Sequence, residues 1–201
     1  MSPRKQPCGA RRPSSATNRL RQPQLRVVIA VMATHTSASL TKWRRNAVRQ
    51  IAASRKSTLA FIARLPEREI LRPRTLDKWS VKDLLAHLMS CDEETIRRLR
   101  LIERGRADRI LWFNMAIANR FNARTVGRAR RLSLPAVLRR MARVRAELIA
   151  RLQRLPAKAL ADPSHDYTVQ SWLPVPGWSH ERDHVSEARA WWRSRRPQIP
   201  R

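Results

Sequence analysis

The stretch WSVKDLLAHL, residues 79–88, decides the fold class of this chain. Ser80 stands where a helix N-cap is expected. Asp83, three residues later, is placed to accept a hydrogen bond from the backbone amide of the capping serine. Apolar residues then recur at the spacing of one helix face: Val81, Leu84, Leu85 and Leu88. The stretch therefore predicts an amphipathic helix that begins after Ser80 and buries one of its faces.

Similar helical periodicity extends over most of the remaining chain. With only four Gly, one Tyr and three Phe, the composition favours helices over a β-sandwich or barrel. Four amphipathic helices can bury their apolar stripes only against one another, so we predict an all-α four-helix bundle. The four principal helices are predicted at about 39–65, 80–105, 133–155 and 178–195, with a less regular helical stretch at 108–125 and a loop rich in Pro and Trp at 156–177.

Length and composition limit the class of protein. A chain of 201 residues with 42% hydrophobic content fits one domain with extensions. Cys8 and Cys91 cannot make a disulfide framework, which favours a reducing compartment, and we expect the cytoplasm. No apolar run approaches the ~20 residues that span a bilayer, so we expect no association with the membrane.

The N-terminal segment differs from the rest of the chain. Residues 1–36 are rich in Pro, Arg, Ser and Gln and contain no acidic residue, so we predict a disordered basic extension followed by a bundle domain at 37–196. We prefer the interpretation that the native protein starts at Met32, so that residues 1–31 are not part of it; a secretory signal at 27–33 or an Arg-rich transit peptide is the alternative.

The formal net charge of +28 suggests a partner that carries phosphate. The basic residues are mostly Arg, however, and they are dispersed along the chain without a nucleic-acid-binding motif. We therefore expect a solvated basic surface and keep nucleic acid or acidic partners as the alternative to an enzyme.

Histidines give the strongest indication of chemistry. His87 lies two turns into the helix of residues 79–88, and the segment GWSHERDH, residues 177–184, places His180 and His184 four apart. Residues at i and i+4 lie above one another on a helix face and can share one metal ion. A third imidazole from a facing helix would complete a site with an open position, whereas separate core or surface imidazoles are the alternative.

With these motifs, the chain resembles the DinB-like superfamily of four-helix-bundle proteins. That superfamily includes the YfiT-like bacillithiol transferases, the metal-binding domain of mycothiol-dependent maleylpyruvate isomerase and the ClbS/DfsB bundles. The resembling segments are residues 75–88, with Trp-Ser-Val before a helix that carries a histidine, and the HxxxH motif within 177–184. The similarity extends over about residues 37–195.

The resemblance implies a ligand set and a range of activities. His87, His180 and His184 would hold a divalent metal, commonly zinc or nickel. The implied activity is thiol transfer, with a low-molecular-weight thiol as a second cofactor, or detoxifying hydrolysis of a small-molecule substrate. A bundle with a vacant metal site is an alternative. Such bundles often pair, so a homodimer is allowed, although no specific seam predicts one.

Other residues near the histidines are candidates for supporting roles. Cys91 lies one turn after His87 and would be a fourth ligand or a reactive thiol, although a buried small hydrophobe is the preferred interpretation. Four acidic residues are candidates for orienting the imidazoles through their distal nitrogens: Asp83, Glu94, Glu181 and Asp183.

Overall fold

The computed structural model describes residues 36–73, 75–162 and 164–195. The helices α1 to α7 are Ser37–Ile62, Glu67–Leu71, Val81–Glu103, Met115–Ala129, Leu134–Arg154, Val169–Trp172 and His180–Arg195. Two 3₁₀ turns and one π-helical turn stand between them: Ala107–Arg109, Ala157–Leu160 and Val175–Ser179. These ranges contain no β-strand, only an isolated bridge between Leu76 and Trp79, so the all-α prediction is confirmed.

The four long helices α1, α3, α5 and α7 bury their apolar faces against one another. Helix α3 packs on α5 and α4, and α1 packs on α5 and α7. The most deeply buried apolar side chains come from several of these helices: Ile51, Leu85, Leu99, Met141, Leu148 and Leu152. This burial is the main stabilising contribution, as expected for a bundle.

Several helix boundaries differ from the sequence prediction: α1 ends at Ile62 and not near residue 65, and the predicted loop 156–177 contains helix α6. Two of the differences have a local cause. The less regular stretch becomes helix α4 only at Met115, because the Asn114 side chain accepts a hydrogen bond from the Ile117 amide at 2.9 Å and caps the helix there. The final helix was predicted from about residue 178, but α-helical bonding begins at His180 after the π-helical turn. Pro176 in that turn has no amide proton to donate.

The predicted N-terminal extension lies outside the described residues except for Thr36, which caps α1. Disorder in that extension, its domain boundary at residue 37 and the native start at Met32 therefore stay predictions. In the part of the chain that the structure describes, no helix combines the length and the apolar character needed to cross a bilayer.

The predicted N-terminal cap of α3 is confirmed. Ser80 Oγ accepts a hydrogen bond from the Asp83 amide at 3.0 Å, and Asp83 Oδ2 accepts one from the Ser80 amide at 3.2 Å. This reciprocal pair satisfies two amide groups that the helix itself leaves unpaired. The cap fixes the start of the helix that carries His87.

Replacing Ser80 with alanine should lower the free energy of unfolding by about 1 kcal/mol, because the Asp83 amide loses its acceptor. Urea unfolding of the full chain measures the change. Ser186→Ala is the matched control, since Ser186 is exposed in the interior of α7. Equal free energies of unfolding for the two variants would show that the cap does not stabilise α3.

Candidate metal centre

Two of the predicted histidines are in direct contact. His87 lies on the second turn of α3 with 3% of its surface exposed, and His180 is the first residue of α7. Their Nε2 atoms are 2.8 Å apart. Without an ion, this distance is a hydrogen bond in which one neutral imidazole donates to the other.

His184, the third predicted ligand, lies beside this pair. Its ring centroid is 4.3 Å from that of His180 and 5.1 Å from that of His87. His184 Nδ1 lies 3.3 Å from Glu187 Oε2, which leaves Nε2 as the ring nitrogen for a ligand. The fold thus brings His87, His180 and His184 together from two helices.

Cys91 also lies at the centre. His87, Cys91 and His180 each offer one ligand atom, and these atoms lie within 4.8 Å of one another. The Cys91 Sγ atom is 3.8 Å from His87 Nε2. Burial, together with the neighbouring charge of Asp92, raises the pKa of the Cys91 thiol to about 12. In the absence of an ion, Cys91 is therefore a protonated thiol at neutral pH.

The donor set fits a divalent metal. Burial, with smaller contributions from the neighbouring His180 and His184, lowers the pKa of His87 to about 3. Burial likewise lowers the pKa of His180, with His184 contributing. Both imidazoles are neutral at physiological pH and have a lone pair to offer. Two nitrogens bound to one tetrahedral ion lie about 3.3 Å apart, close to the observed 2.8 Å separation of the Nε2 atoms.

Trp79 covers the imidazoles from the loop before α3. Its ring centroid lies 4.9 Å from that of His87 and 6.4 Å from that of His184. The loop turns sharply at Asp77, whose φ of 57° is in the left-handed region, and the Leu76–Trp79 bridge closes it. The family motif contains this tryptophan, but its contact with two histidines is visible only in the fold.

A surface groove lies on the other side of Trp79, and none of the three histidines lines it. It has a volume of about 910 Å³ and runs between the loop before α3 and helix α4. Trp79 and Asn122 both line it, and the Asn122 side chain partly opposes the lowering of the His87 pKa. Asn122 was not predicted, because nothing in the local pattern of α4 marks a residue that reaches another helix. The charged residues that line the groove are Lys78, Lys82, Asp83 and Arg130.

A buried cluster of charges fixes the first turn of α7. Glu181 Oε1 accepts hydrogen bonds from Arg55 Nε at 2.8 Å and Thr58 Oγ1 at 2.7 Å. Glu181 Oε2 accepts from Arg145 Nη2 at 2.5 Å. Asp92 Oδ2 lies 3.1 Å from Arg55 Nη2 and 3.0 Å from Arg145 Nε. We call Arg55, Asp92, Arg145 and Glu181 the buried ion cluster; it links α1, α3, α5 and α7 beside His180.

The pKa values within this cluster reflect burial and opposite charges. Burial alone would raise the pKa of Glu181, but Arg55 and Arg145 outweigh it and lower that pKa. For Asp92, burial dominates and raises the pKa to about 6 against the opposing effect of the two arginines. The two guanidinium groups and two carboxylates compensate one another, which allows charged side chains in the core.

None of the four acidic residues that the sequence suggested as imidazole partners makes a hydrogen bond or ion pair with a histidine in the described ranges. Glu181 belongs to the buried ion cluster, which corrects that suggestion. Asp83 caps α3 and pairs with Arg130, whereas Glu94 pairs with Arg97 and Arg98, and Asp183 is exposed. Among the described residues, the carboxylate that contacts one of the three candidate ligands is Glu187, one helical turn after His184.

The low pKa of His87 predicts a dependence of stability on pH. Its folded-state pKa is depressed from 6.5 to about 3, so the unfolded chain binds the proton more tightly. The stability contributed by neutral His87 is present above pH 6.5 and decreases as pH falls towards 3, by about 2 kcal/mol at pH 5.

Urea unfolding at pH 7.5 and pH 5, with chelator present, tests this prediction in the parent and in His87→Gln. The variant should lose about 2 kcal/mol less than the parent between the two pH values. Asp92 has the opposite effect, because its raised pKa favours the folded state at low pH. This contribution is present in both proteins and cancels in the comparison. An identical loss in both would contradict the assignment of a neutral, buried His87.

Comparison with known proteins identifies the family to which the chain belongs. The family model of the DinB superfamily matches residues 50–188, a segment that includes all three histidines. Neither the curated proteins nor the solved structures contain a significant match to the chain.

Proposed function

Because the chain belongs to the DinB superfamily, we propose that it binds one divalent metal ion, zinc or nickel, through His87, His180 and His184, and that it is a metal-dependent enzyme acting on a small molecule. The observation that carries the proposal is the 2.8 Å contact between two neutral imidazoles from different helices, with a third imidazole beside them. When bound, such an ion is a Lewis acid that lowers the pKa of a coordinated water or thiol.

The residues around the centre have separate tasks in this proposal. Glu187 holds His184 through its Nδ1 atom, and the buried ion cluster holds the backbone from which His180 projects. Trp79 excludes water from one side of the imidazoles. The groove lined by Trp79 and Asn122 admits the substrate. Its charged residues sum to a positive charge, which favours a substrate that carries a carboxylate or another anionic group.

Two reaction classes are compatible with this arrangement. Thiol transfer to a small electrophile would use a low-molecular-weight thiol as the nucleophile, and detoxifying hydrolysis would use water. The choice depends on what the groove admits first. Both reactions require an open position beside the three histidines.

A kinetic comparison tests the enzyme proposal. The full chain is freed of metal, reloaded with one equivalent of Zn²⁺ or Ni²⁺, and assayed with cysteine plus chlorodinitrobenzene and, separately, with a nitrophenyl ester. We expect one of these rates to rise with metal and to return to background in His184→Ala. The control is His165→Ala, at a histidine in the loop after α5, and it should keep the rate of the parent. Metal binding without any rate increase over the metal-free chain would support the alternative of a non-catalytic metal site.

Cys91 suggests an alternative in which the metal site has no free coordination position. If its thiolate bound the ion in addition to the three imidazoles, in the place of water, no position of a tetrahedral site would be left for a substrate. Co²⁺ distinguishes the two, because a thiolate ligand gives an intense charge-transfer absorption in the near ultraviolet. We expect this band to be absent in the parent and the spectrum to be unchanged in Cys91→Ser.

A further inference from the structure

A long basic segment of the chain has no acidic residue of its own. Between Asp108 and Glu147 the sequence contains ten arginines and no Asp, Glu or Lys. Three of these arginines are paired in the fold: Arg130 with Asp83, Arg140 with Glu93, and Arg145 within the buried ion cluster. The others give helix α4 and the start of α5 a strong positive charge that the fold does not compensate.

Three of the remaining arginines converge on one spot. Arg124, Arg128 and Arg131 line a shallow depression of about 470 Å³ around Gly127, and we call these three residues the arginine patch. Their guanidinium groups have no hydrogen-bond or ion-pair partner in the described ranges of the chain. A Cβ atom built on Gly127 would meet no heavy atom within 4 Å, so the helix backbone is accessible there.

Such an arrangement fits an anion with several charges. Like charges this close repel one another, and an anion placed between them relieves the repulsion. A guanidinium group matches the geometry of phosphate oxygens with two parallel hydrogen bonds. Arg124 and Arg128 stand one helical turn apart, a rise of about 6 Å, which is comparable to the distance between neighbouring phosphates along a nucleic acid strand.

The surroundings of the patch favour a nucleic acid over a membrane. Binding to a bilayer surface requires large apolar side chains beside the basic ones. On α4 and the segment before it, the exposed large apolar residues are Leu111 and Met115, at the opposite end of the helix from Arg131. Between Arg124 and Arg131 the exposed positions are arginine or Gly127. No aromatic side chain lines the depression, so bases would not be recognised there by stacking.

We propose that the arginine patch binds the phosphates of a nucleic acid strand without recognising its base sequence. This binding site contains none of the proposed metal ligands, although it borders the groove at Gly127, and it does not depend on a bound metal. It gives the chain a second partner class beside the small-molecule substrate of the proposed enzyme.

The test compares two triple variants of the full chain that remove the same charge. One replaces Arg124, Arg128 and Arg131 with alanine. The other replaces Arg45, Arg104 and Arg154, which are exposed on three separate elements and make no side-chain ion pair among the residues described. Fluorescence anisotropy with a labelled 20-nucleotide oligo-dT measures the dissociation constant of each between 50 and 300 mM NaCl.

For the patch variant we expect the affinity to fall at least ~10-fold at 150 mM NaCl, and the slope of log K against log salt to become about 2 units shallower. The control variant should lose less than about 3-fold. Equal losses would overturn the proposal, because they would show that affinity follows net charge alone. His180→Ala should bind the oligonucleotide like the parent, which separates this result from the fate of the metal centre.

Vesicles containing phosphatidylserine provide the second arm of the experiment. Under the proposal, the two triple variants bind these vesicles equally. A loss of vesicle binding confined to the patch variant, with no difference between the two triples on oligo-dT, would assign the patch to a membrane surface and overturn the nucleic acid proposal.

Discussion

Replacing His180 with alanine is expected to lower the affinity of the full chain for Zn²⁺ by at least ~100-fold. The substitution removes one of the two nitrogens that stand 2.8 Å apart, and His184 alone cannot restore a ligand facing His87 at that distance. Competition with a chromophoric chelator measures the dissociation constant. The helical circular dichroism signal should stay at the parent value, because the lost contact is a single hydrogen bond.

His165→Ala is the matched control for that experiment. It also removes one imidazole, but His165 lies in the loop after α5, where its nearest charged partner is Asp162 at 3.8 Å. Zinc affinity of this variant should equal that of the parent. A comparable loss in both variants would mean that histidine content, and not the centre, determines zinc binding.

Replacing Glu181 with glutamine is expected to lower the free energy of unfolding by about 3 to 5 kcal/mol. Glutamine keeps the shape of the side chain but removes the negative charge that Arg55 and Arg145 share, so two buried guanidinium groups are left with Asp92 alone. For a chain of this size the melting temperature should fall by about 10 °C. Chelator is present throughout, so that metal binding does not contribute.

Glu93→Gln gives the reference for a surface ion pair. Glu93 pairs with Arg140 at 2.7 Å, and the two side chains are 34% and 44% exposed. Removing this pair should cost less than about 1 kcal/mol. If the two glutamine variants lost equal stability, the buried ion cluster would not be the element that fixes α7 in the bundle.

The helix that carries His87 could be predicted closely from the sequence because its signals are local. The cap at Ser80 and the apolar spacing after it depend only on residues within two turns. The HxxxH motif is local in the same sense, since helix geometry alone places His180 and His184 side by side. The prediction that His87 faces this pair depended on the resemblance to a family. In the fold, the three imidazole rings do lie side by side.

The contacts around the histidines were less predictable because they join distant parts of the chain. Trp79 lies near His87 from a loop and Asn122 from α4, and the local sequence around neither residue predicts the contact. Glu181 was misjudged for the same reason. Adjacency to His180 suggested an imidazole partner, but on a helix neighbouring residues point in different directions, and Glu181 faces the core.

A signal for the buried ion cluster was nevertheless present in the sequence. Arg145 continues the apolar face that Met141, Leu148 and Leu152 form on α5, and Glu181 shares a helix face with Val185 and Ala188 on α7. A charged residue within an apolar stripe must be paired if the helix is buried there. With so many arginines in the chain, however, their partners could be identified only in the three-dimensional fold.

The most direct test of the metal centre is X-ray absorption at the zinc edge on the full chain, after removal of metal and equilibration with Zn²⁺ in slight excess. We expect one tightly held zinc per chain, three imidazole ligands in the outer-shell scattering and no sulfur scatterer. A chain that holds no zinc after dialysis, or a zinc ion whose spectrum contains no imidazole scattering, would contradict it.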